Sequence, residues 1–514
     1  AVPADADDVV TLVKWAKASS LSLVPRGSGT SMGGGAIGPG VIVDLSQMNE
    51  IGSVDLVNHS IRVGPGAIRG DVNRVAKESG LRFPVDPSSG EVCTIGGMVS
   101  TNAAGSHTLR FGATRDWVIA LDCVFEDGSR ATVSRVQPVP QGIPALDRFV
   151  AEAGPEIMAA LGHESISHVG VAKDSSGYGI AAYAATGKLI DLLVGSEGTL
   201  VIVVGATLGL AALARSASSV LGTFASLDAA ITAAVRARSA GAVACELLDR
   251  TFLEVAASGG VHSPVVALSS IPDGTEAALL AEVEGGSGAE VEKFANDLAS
   301  AFDMAGATLT KVALGPNDQD EIWELRHAAS PILAKLDPSL KSMQFIEDGA
   351  VPADRLAEYV RGVRAALEKR EVRGVIFGHA GDAHIHVNPL IDVSKPEWRV
   401  GVEGLLEDIV DLTARLGGTL AGEHGDGRLR TPLLARTWSA EALALFAKVK
   451  KAFDPSGILN PGVKVPLAGQ KPIGDVKYDP SLAPLPDEAR DALARLASDR
   501  EYSTFRLSMI PGDK

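Results

Sequence analysis

The stretch SLVPRGSGTSMGGG, residues 22–35, constrains the fold more than any other feature of the chain. Glycines and small hydroxylic residues put consecutive backbone N–H groups into turns. Such nests bind anions, and glycine lets a phosphate approach the main chain. The flanks decide which kind of nest this is. A short strand, LSLVP, runs into the loop and another, GVIVDLS, follows it. A nicotinamide site of the Rossmann type needs G-x-G-x-x-G opening into a helix. Here Gly27 and Gly29 are followed by Met32 and then by a strand, so that site is disfavoured. The hexapeptide LVPRGS also matches the thrombin-cleavage sequence of expression tags, but it lies behind a helix–strand unit rather than at a terminus and is read as native.

A second loop, PVDPSSGEVCTIGGMVSTNAAGSH at 84–107, has the same composition, and two such loops in one domain suit an extended diphosphate ligand. At 514 residues the chain is expected to form two or three domains. Its net charge of −16 argues against a nucleic-acid partner, which would call for clustered Lys and Arg. Cys93, Cys123 and Cys245 lie far apart without a CxxC, so neither a disulfide framework nor a thiolate metal cluster is expected, and a reducing compartment is. The most apolar window, residues 189–214, is interrupted by Asp191, Ser196, Glu197 and glycines. It reads as buried strands joined by a turn, not as a membrane span. No signal peptide is visible, and the opening AVPADADDV without an initiator Met suggests that a native N-terminal segment is missing.

DADDVVTLVKWAKA, residues 5–18, reads as an amphipathic helix with an acidic start, and strands, helices and loops then continue to about 208. From about 217 the texture becomes that of a separate α+β domain. There LDAAITAAVRARSA, TEAALLAEV and AEVEKFANDLASAFDMAGA are read as helices, and SPVVALSSI as a strand. A helix-rich segment from about 396 leads through TLAGEHGDGRLR to DPSGILNPGVKV, after which a Pro-rich tail is expected to leave the globular body.

Three of the ten histidines sit in one segment, FGHAGDAHIHVNP at 377–389. His384 and His386 alternate by two, so on a strand they share a face, and His379 reaches back across a Gly-Asp turn. Imidazoles with a carboxylate are the usual ligands of zinc, manganese or iron, and Glu423-His424 in GEHGDG supplies that carboxylate. On extended backbone these two neighbours would point apart; a turn is required, and Gly422, Gly425 and Gly427 allow one.

In order, PRGSGTSMGGG, VIVDLSQMNEI, PVDPSS, TIGGMVSTNAAG, RFGATRDWVIALDCVFEDG, VGSEGTL and ILNPGVKV resemble the vanillyl-alcohol-oxidase-type flavoproteins over roughly 1–465. Within them the chain resembles the FAD-linked D-2-hydroxyacid dehydrogenases: D-lactate dehydrogenase, the flavin subunit of glycolate oxidase and D-2-hydroxyglutarate dehydrogenase. The resemblance implies an α+β architecture with a two-part FAD-binding domain of the PCMH type at 1–208 and an α+β substrate (cap) domain with a metal site at 209–415. It implies a C-terminal segment, 416–465, returning to the flavin; residues 466–514 form an extension of open role.

For FAD, the resemblance implies Arg26, Gly27, Ser28, Gly29, Thr30 and Ser31 on the pyrophosphate, and Thr94, Gly96, Gly97, Thr101 and Asn102 along the flavin. Glu197, Gly198 and Thr199 fall on the adenosine side, and Asn460 returns to the isoalloxazine. Val201 stands where the family often has glycine, and no histidine in the first loop offers covalent attachment. His379, His386 and Glu423 match the metal ligands, with zinc favoured over manganese or iron by imidazole preference. His424 matches the catalytic base, Asn388 a substrate contact and Arg326 the arginine for the substrate carboxylate. His384 occupies a position where the family more often has Asn; a supporting group, a substrate contact and a replacement ligand all stay open. Asp348 is given no role.

The implied reaction is oxidation of a D-2-hydroxy acid, D-lactate or glycolate first among them, with hydride passing to flavin N5. Electrons go on to a separate acceptor: a quinone, or a protein such as an iron–sulfur subunit. The protein is then a homo-oligomer or part of a complex, cytoplasmic, and peripheral to a membrane only through a partner. The alternatives are a non-redox flavoenzyme of the alkyl-glycerone-phosphate synthase type, expected to lack these histidine motifs, and the flavin subunit of a larger complex docked through 466–514. The substrate's side chain is not legible.

Overall fold

The computed structural model describes residues 1–258, 268, 271–333, 339–474, 476 and 479–499. Asp5 caps the first helix, Ala6–Ala18, accepting from Asp7 N and Asp8 N, and Val9, Val13 and Ala16 form its buried stripe. Two parallel strands, Leu23–Arg26 and Val41–Asp44, flank the first glycine loop. Beside them lies a five-stranded antiparallel sheet in the order Ile51–Asp55, Ser60–Val63, Ile202–Gly209, Val118–Val124, Arg130–Ser134. The chain returns here near its end: Leu23 N donates to Ile458 O and Asn460 N to Leu23 O, each at 2.8 Å.

An eight-stranded antiparallel sheet makes the second half. Its order is Ala307–Ala313, Ser216–Phe224, Ala277–Gly285, Ala244–Asp249, Arg373–His379, His384–Asp392, Leu340–Ser342, and Gly349–Ala350 also pairs with the His384 strand. Both faces are covered. Ala277, Leu279 and Ala281 pack against helices Leu227–Ser239, Gly288–Met304 and Leu356–Lys369 on one side, while Ala278 and Leu280 join Phe252, Ile322 and Leu325 on the other.

That double cover corrects one reading. TEAALLAEV supplies a central strand, Ala277–Gly285, and not a helix: Ala and Leu favour helices, but a run buried on both faces needs no alternation. In the 189–214 window, Leu189–Leu193 is a helical turn rather than a strand, its buried Asp191 satisfied by Arg135 and Thr186; the strands begin at Ile202. The Pro-rich tail does not leave the body at once. Ile473 and Val476 pack on the second core and Arg399 pairs with Asp479 at 2.5 Å, before the helix Asp487–Asp499. Of SPVVALSSI, all but residues 268 and 271 lie outside the described residues. Among the described residues no helix is long and apolar enough to cross a membrane.

Asp249 joins the Ala244–Asp249 strand to helix Arg250–Ala257, accepting from Phe252 N at 2.8 Å and Ile376 N at 3.2 Å. Full burial pushes its carboxyl up to about 7 from 3.8. The folded state therefore holds this proton more tightly than the unfolded chain, and stability falls as pH rises from near 4 to about 7. Asp249→Asn keeps the cap without the charge. Thermal unfolding from pH 4 to 8 is expected to show no gain at pH 4 and a gain on the order of 2–4 kcal/mol at pH 8.

Candidate active site

The first and second glycine loops face each other across a cleft. Arg26 to Ser31 line it, as do Thr94, Gly96, Gly97 and Thr101 from the second loop and Glu197 and Gly198 from the turn before Ile202–Gly209. The loops touch at Gly27, where a Cβ would stand 2.0 Å from Thr94 Oγ1; only glycine permits that approach. Ser31 Oγ is buried with no hydrogen-bond partner in the protein, a polar atom that a ligand in the cleft would satisfy. The wall also uses Pro65, Met98, Ala103 and Val203, apolar positions that no sequence signal singled out.

Three residues expected on the cofactor do not reach the cleft. Asn102, at φ 51°, ends helix Ile95–Thr101 and its Oδ1 accepts from Arg115 N at 2.9 Å. Thr199 donates to Ser196 O and pairs with Tyr178, both at 2.7 Å. Asn460 donates to Gly35 O at 2.9 Å and Glu197 O at 2.7 Å, and accepts from Arg428 at 2.8 Å. Their side chains are consumed in holding the wall from behind.

A second cleft opens beside the eight-stranded sheet, lined by Arg326, Phe377, His379, His386 and Asn388. Glu423 and His424 line both clefts, as do Thr30, Met32 and Pro87 to Ser89, and the two clefts meet there. His384, His386 and Asn388 follow the two-residue period of their strand onto one face. His379 ends the neighbouring strand opposite Glu246 in register. Glu423 sits among them, its Oε1 3.3 Å from His379 Nε2 and 3.4 Å from His386 Nε2. The ligand atoms of His379, His384, His386 and Glu423 all lie within 4.8 Å of one another.

The surroundings fix how the rings face. His386 Nδ1 is 2.7 Å from Glu347 O; a carbonyl only accepts, so Nδ1 carries the hydrogen and Nε2 turns its lone pair toward Glu423. His379 Nδ1 meets Glu246 Oε1 at 2.5 Å, which leaves Nε2 inward in the same way. A carboxylate or carbonyl behind each imidazole is the arrangement that supports metal ligation. Glu246 also accepts from Arg326 Nε at 2.7 Å, and Arg326 stacks over Phe377 with 4.9 Å to the ring centre.

The site is crowded with buried charge. Glu246, Glu347, Asp348, Asp382 and Glu423 are buried, against Lys173, Arg326 and Arg430. Burial works against ionised carboxyls, yet His379 and Arg326 hold Glu246, and Lys173 and His379 hold Glu423, well below the usual range. Burial alone would push His424 down, but Asp348, Glu347 and Glu423 lift it to about 9. The protein's own charges therefore favour the protonated imidazole at His424. A cation among the same carboxylates would cancel much of that field, and the donor set of imidazole and carboxylate fits a divalent ion.

Asp348, given no role from sequence, is the residue that makes the Glu423-His424 turn. Its carboxylate accepts from His424 N at 2.9 Å, Glu423 N at 3.2 Å and His384 Nε2 at 2.9 Å, and its carbonyl accepts from Gly422 N at 2.9 Å. Lys173, also missed, bridges from Gly105 O at 2.7 Å to Glu423 at 3.1 Å. Neither carries a sequence signal, because each is brought in from a distant segment.

Comparison with known proteins agrees with this layout. Residues 1–134 match the FAD binding domain family, and residues 213–463 match the family described as FAD linked oxidases, C-terminal domain. The chain belongs to the FAD-linked oxidases. It is 29% identical over 465 residues to glycolate oxidase subunit GlcD of Bacillus subtilis (strain 168), covering 90% of this chain and 87% of that one. It is 29% identical over 475 residues to D-lactate dehydrogenase of Archaeoglobus fulgidus, covering 90% and 89%. Against D-2-hydroxyglutarate dehydrogenase of Escherichia coli (strain K12) the identity is 29% over 494 residues, but the match spans 91% of this chain and only 47% of that longer protein. Among solved structures, 4-ethylphenol oxidase from Gulosibacter chungangensis superposes with a TM-score of 0.65 at 15% identity, over 90% of this chain and 88% of that one. An alkyldihydroxyacetonephosphate synthase superposes at 0.61 and 16% identity, over 90% and 76%. These likenesses are of fold. This FAD-linked oxidase thus has the PCMH-type FAD-binding domain and α+β architecture of the vanillyl-alcohol-oxidase flavoproteins, and it is an FAD-dependent oxidoreductase.

Asp348→Ala would strand three donors, the backbone N–H groups of Glu423 and His424 and Nε2 of His384. Loss of about 3–5 kcal/mol of stability is expected, read as a lower urea midpoint of the FAD-loaded protein.

Proposed function

We propose that this FAD-linked oxidase oxidises a D-2-hydroxy acid, D-lactate or glycolate foremost, to the 2-oxo acid. The observation that carries the reading is that His424 and Glu423 stand where the two clefts meet, with three imidazoles converging on Glu423. The names of the glycolate oxidase and D-lactate dehydrogenase relatives support the substrate class. In the proposed division of labour, residues 1–208 hold the nucleotide and 209–415 the acid. Residues 416–465 carry Glu423 and His424 back to the cofactor, and 466–514 keep an open role.

FAD, bound along the glycine loops by the residues from Arg26 to Ser31 and from Thr94 to Thr101, supplies the hydride acceptor. A divalent cation held by His379, His386 and Glu423 supplies Lewis acidity toward the hydroxyl and carboxylate of the acid. Arg326, its Nε fixed by Glu246, grips the substrate carboxylate through its remaining N–H donors, which orients the C2 face toward the flavin. Asn388, two residues along the strand from His386, contacts the acid from the cap side. His424 takes the hydroxyl proton at Nε2, because its Nδ1 is turned to Glu347 at 3.3 Å and Asp348 at 3.5 Å. Trapping the acid between two walls excludes water from the C2–H while it leaves. The three cysteines are free and buried, so onward electron transfer falls to a separate acceptor rather than to a cluster on this chain.

The visible spectrum under anaerobic D-lactate, glycolate and D-2-hydroxyglutarate tests the proposal. At least one acid is expected to bleach the flavin band, and chelation is expected to abolish bleaching. His424→Ala is expected to slow it by about 10²–10⁴-fold with the oxidised band unmoved. A band untouched by every D-2-hydroxy acid overturns the redox reading.

A further inference from the structure

We propose that His384 is a fourth protein ligand of the cation, bound through Nδ1, so that this chain offers three imidazoles and one carboxylate. The inference rests on the metal reading proposed above and adds to it a residue and a coordination number.

The ring is wholly buried, yet its Nδ1 has no hydrogen-bond partner in the protein. Leaving such an atom unpaired is unfavourable, and a buried nitrogen without a partner calls for an explanation. The other nitrogen shows which atom carries the hydrogen. Nε2 lies 2.9 Å from Asp348 Oδ1, an oxygen that already accepts from the Glu423 backbone, so Nε2 donates and Nδ1 keeps a bare lone pair. That lone pair belongs to the cluster: Nδ1 is 4.0 Å from Glu423 Oε2, and the His384 ring centre lies 4.6 Å from that of His386 and 5.4 Å from that of His379. Donors on one ion with bonds of about 2.1 Å stand no more than about 4.2 Å apart, so a cluster spanning 4.8 Å closes on a metal by a small inward shift.

The neighbouring loop is shaped for this ring. A Cβ at Gly422 would sit 2.7 Å from both Cδ2 and Nε2 of His384, so the residue preceding the carboxylate ligand must be glycine for the imidazole to enter. Asp348 then performs the same service for His384 that Glu246 performs for His379, a carboxylate behind the imidazole that fixes its tautomer. Four protein donors plus a hydroxy acid chelating through two oxygens fill six positions. Six is the octahedral number that suits manganese or iron(II), against zinc's preference for four.

The test counts nitrogens. The FAD-loaded protein, stripped of metal and reloaded with Cu2+, is examined by pulsed electron paramagnetic resonance for directly bound imidazoles. Three are expected in the wild type and in His424→Ala, and two in His384→Asn, whose Mn2+ dissociation constant by chelator competition rises at least tenfold. The wild-type and His424→Ala counts decide the matter if His384→Asn does not fold. Two nitrogens in the wild type, or an unchanged count and affinity in a folded His384→Asn, overturns the proposal. Absence of any metal binding overturns it together with the metal part of the functional reading; flavin bleaching by a hydroxy acid in that same protein would leave the oxidation itself standing.

Discussion

One buried ammonium group ties the molecule together. Lys464 is sealed from solvent, and its Nζ reaches Ser175 O at 2.7 Å, Asp426 at 2.9 Å and Glu197 at 3.0 Å. Glu197 also accepts from Asp426 N at 2.8 Å and Gly427 N at 3.0 Å, and Asp426 from Ser176 Oγ at 2.8 Å and Gly177 N at 2.7 Å. Each charge would be costly alone, since removing one partner of a buried pair leaves several kcal/mol uncompensated. Together they fix four separate segments: the stretch 175–177, the turn at the cofactor cleft, the loop carrying Glu423 and His424, and the end of the C-terminal return. The position of the proposed base relative to the cofactor wall is set by this cluster.

The parts of the site that were legible in the sequence are those whose chemistry is local. Glycine loops act through their own backbone, so PRGSGTSMGGG and TIGGMVSTNAAG announce a nest without help from elsewhere. The strand bearing His384, His386 and Asn388 declares its shared face by alternation alone. Asp348, Glu246 and Lys173 were out of reach because their meaning comes from partners 75, 133 and 250 residues away. Asn102, Thr199 and Asn460 show the complementary difficulty: a small polar residue in a glycine-rich motif looks the same whether it faces a ligand or braces the wall behind one. The fold followed the same division. AALLAEV, with helix-forming residues, became a strand because tertiary cover on both faces outweighed local preference.

Glu423 and His424 stand at the junction of the two clefts, with Thr30, Met32 and Pro87 to Ser89 beside them. The pair is held in place because both backbone N–H groups end on Asp348, which is itself buried beside Arg430. A group that must serve two ligands at once gains from such a mount: neither ligand can move it without disturbing a satisfied carboxylate. The crowd of buried carboxylates follows from the same design, since acidic groups that orient imidazoles and N–H donors are also groups that attract a cation.

The C-terminal return also sets an order of assembly. Leu23, at the root of the first glycine loop, exchanges backbone hydrogen bonds with Ile458 and Asn460, and Asn460 closes Gly35 against Glu197. On a chain emerging from the ribosome, N-terminal segments normally settle first. Here the nucleotide-binding half stays unfinished until residues 458–464 have been made. Capture of the cofactor thus waits for nearly the whole polypeptide, and a truncated nascent chain would offer FAD an open, half-built cradle.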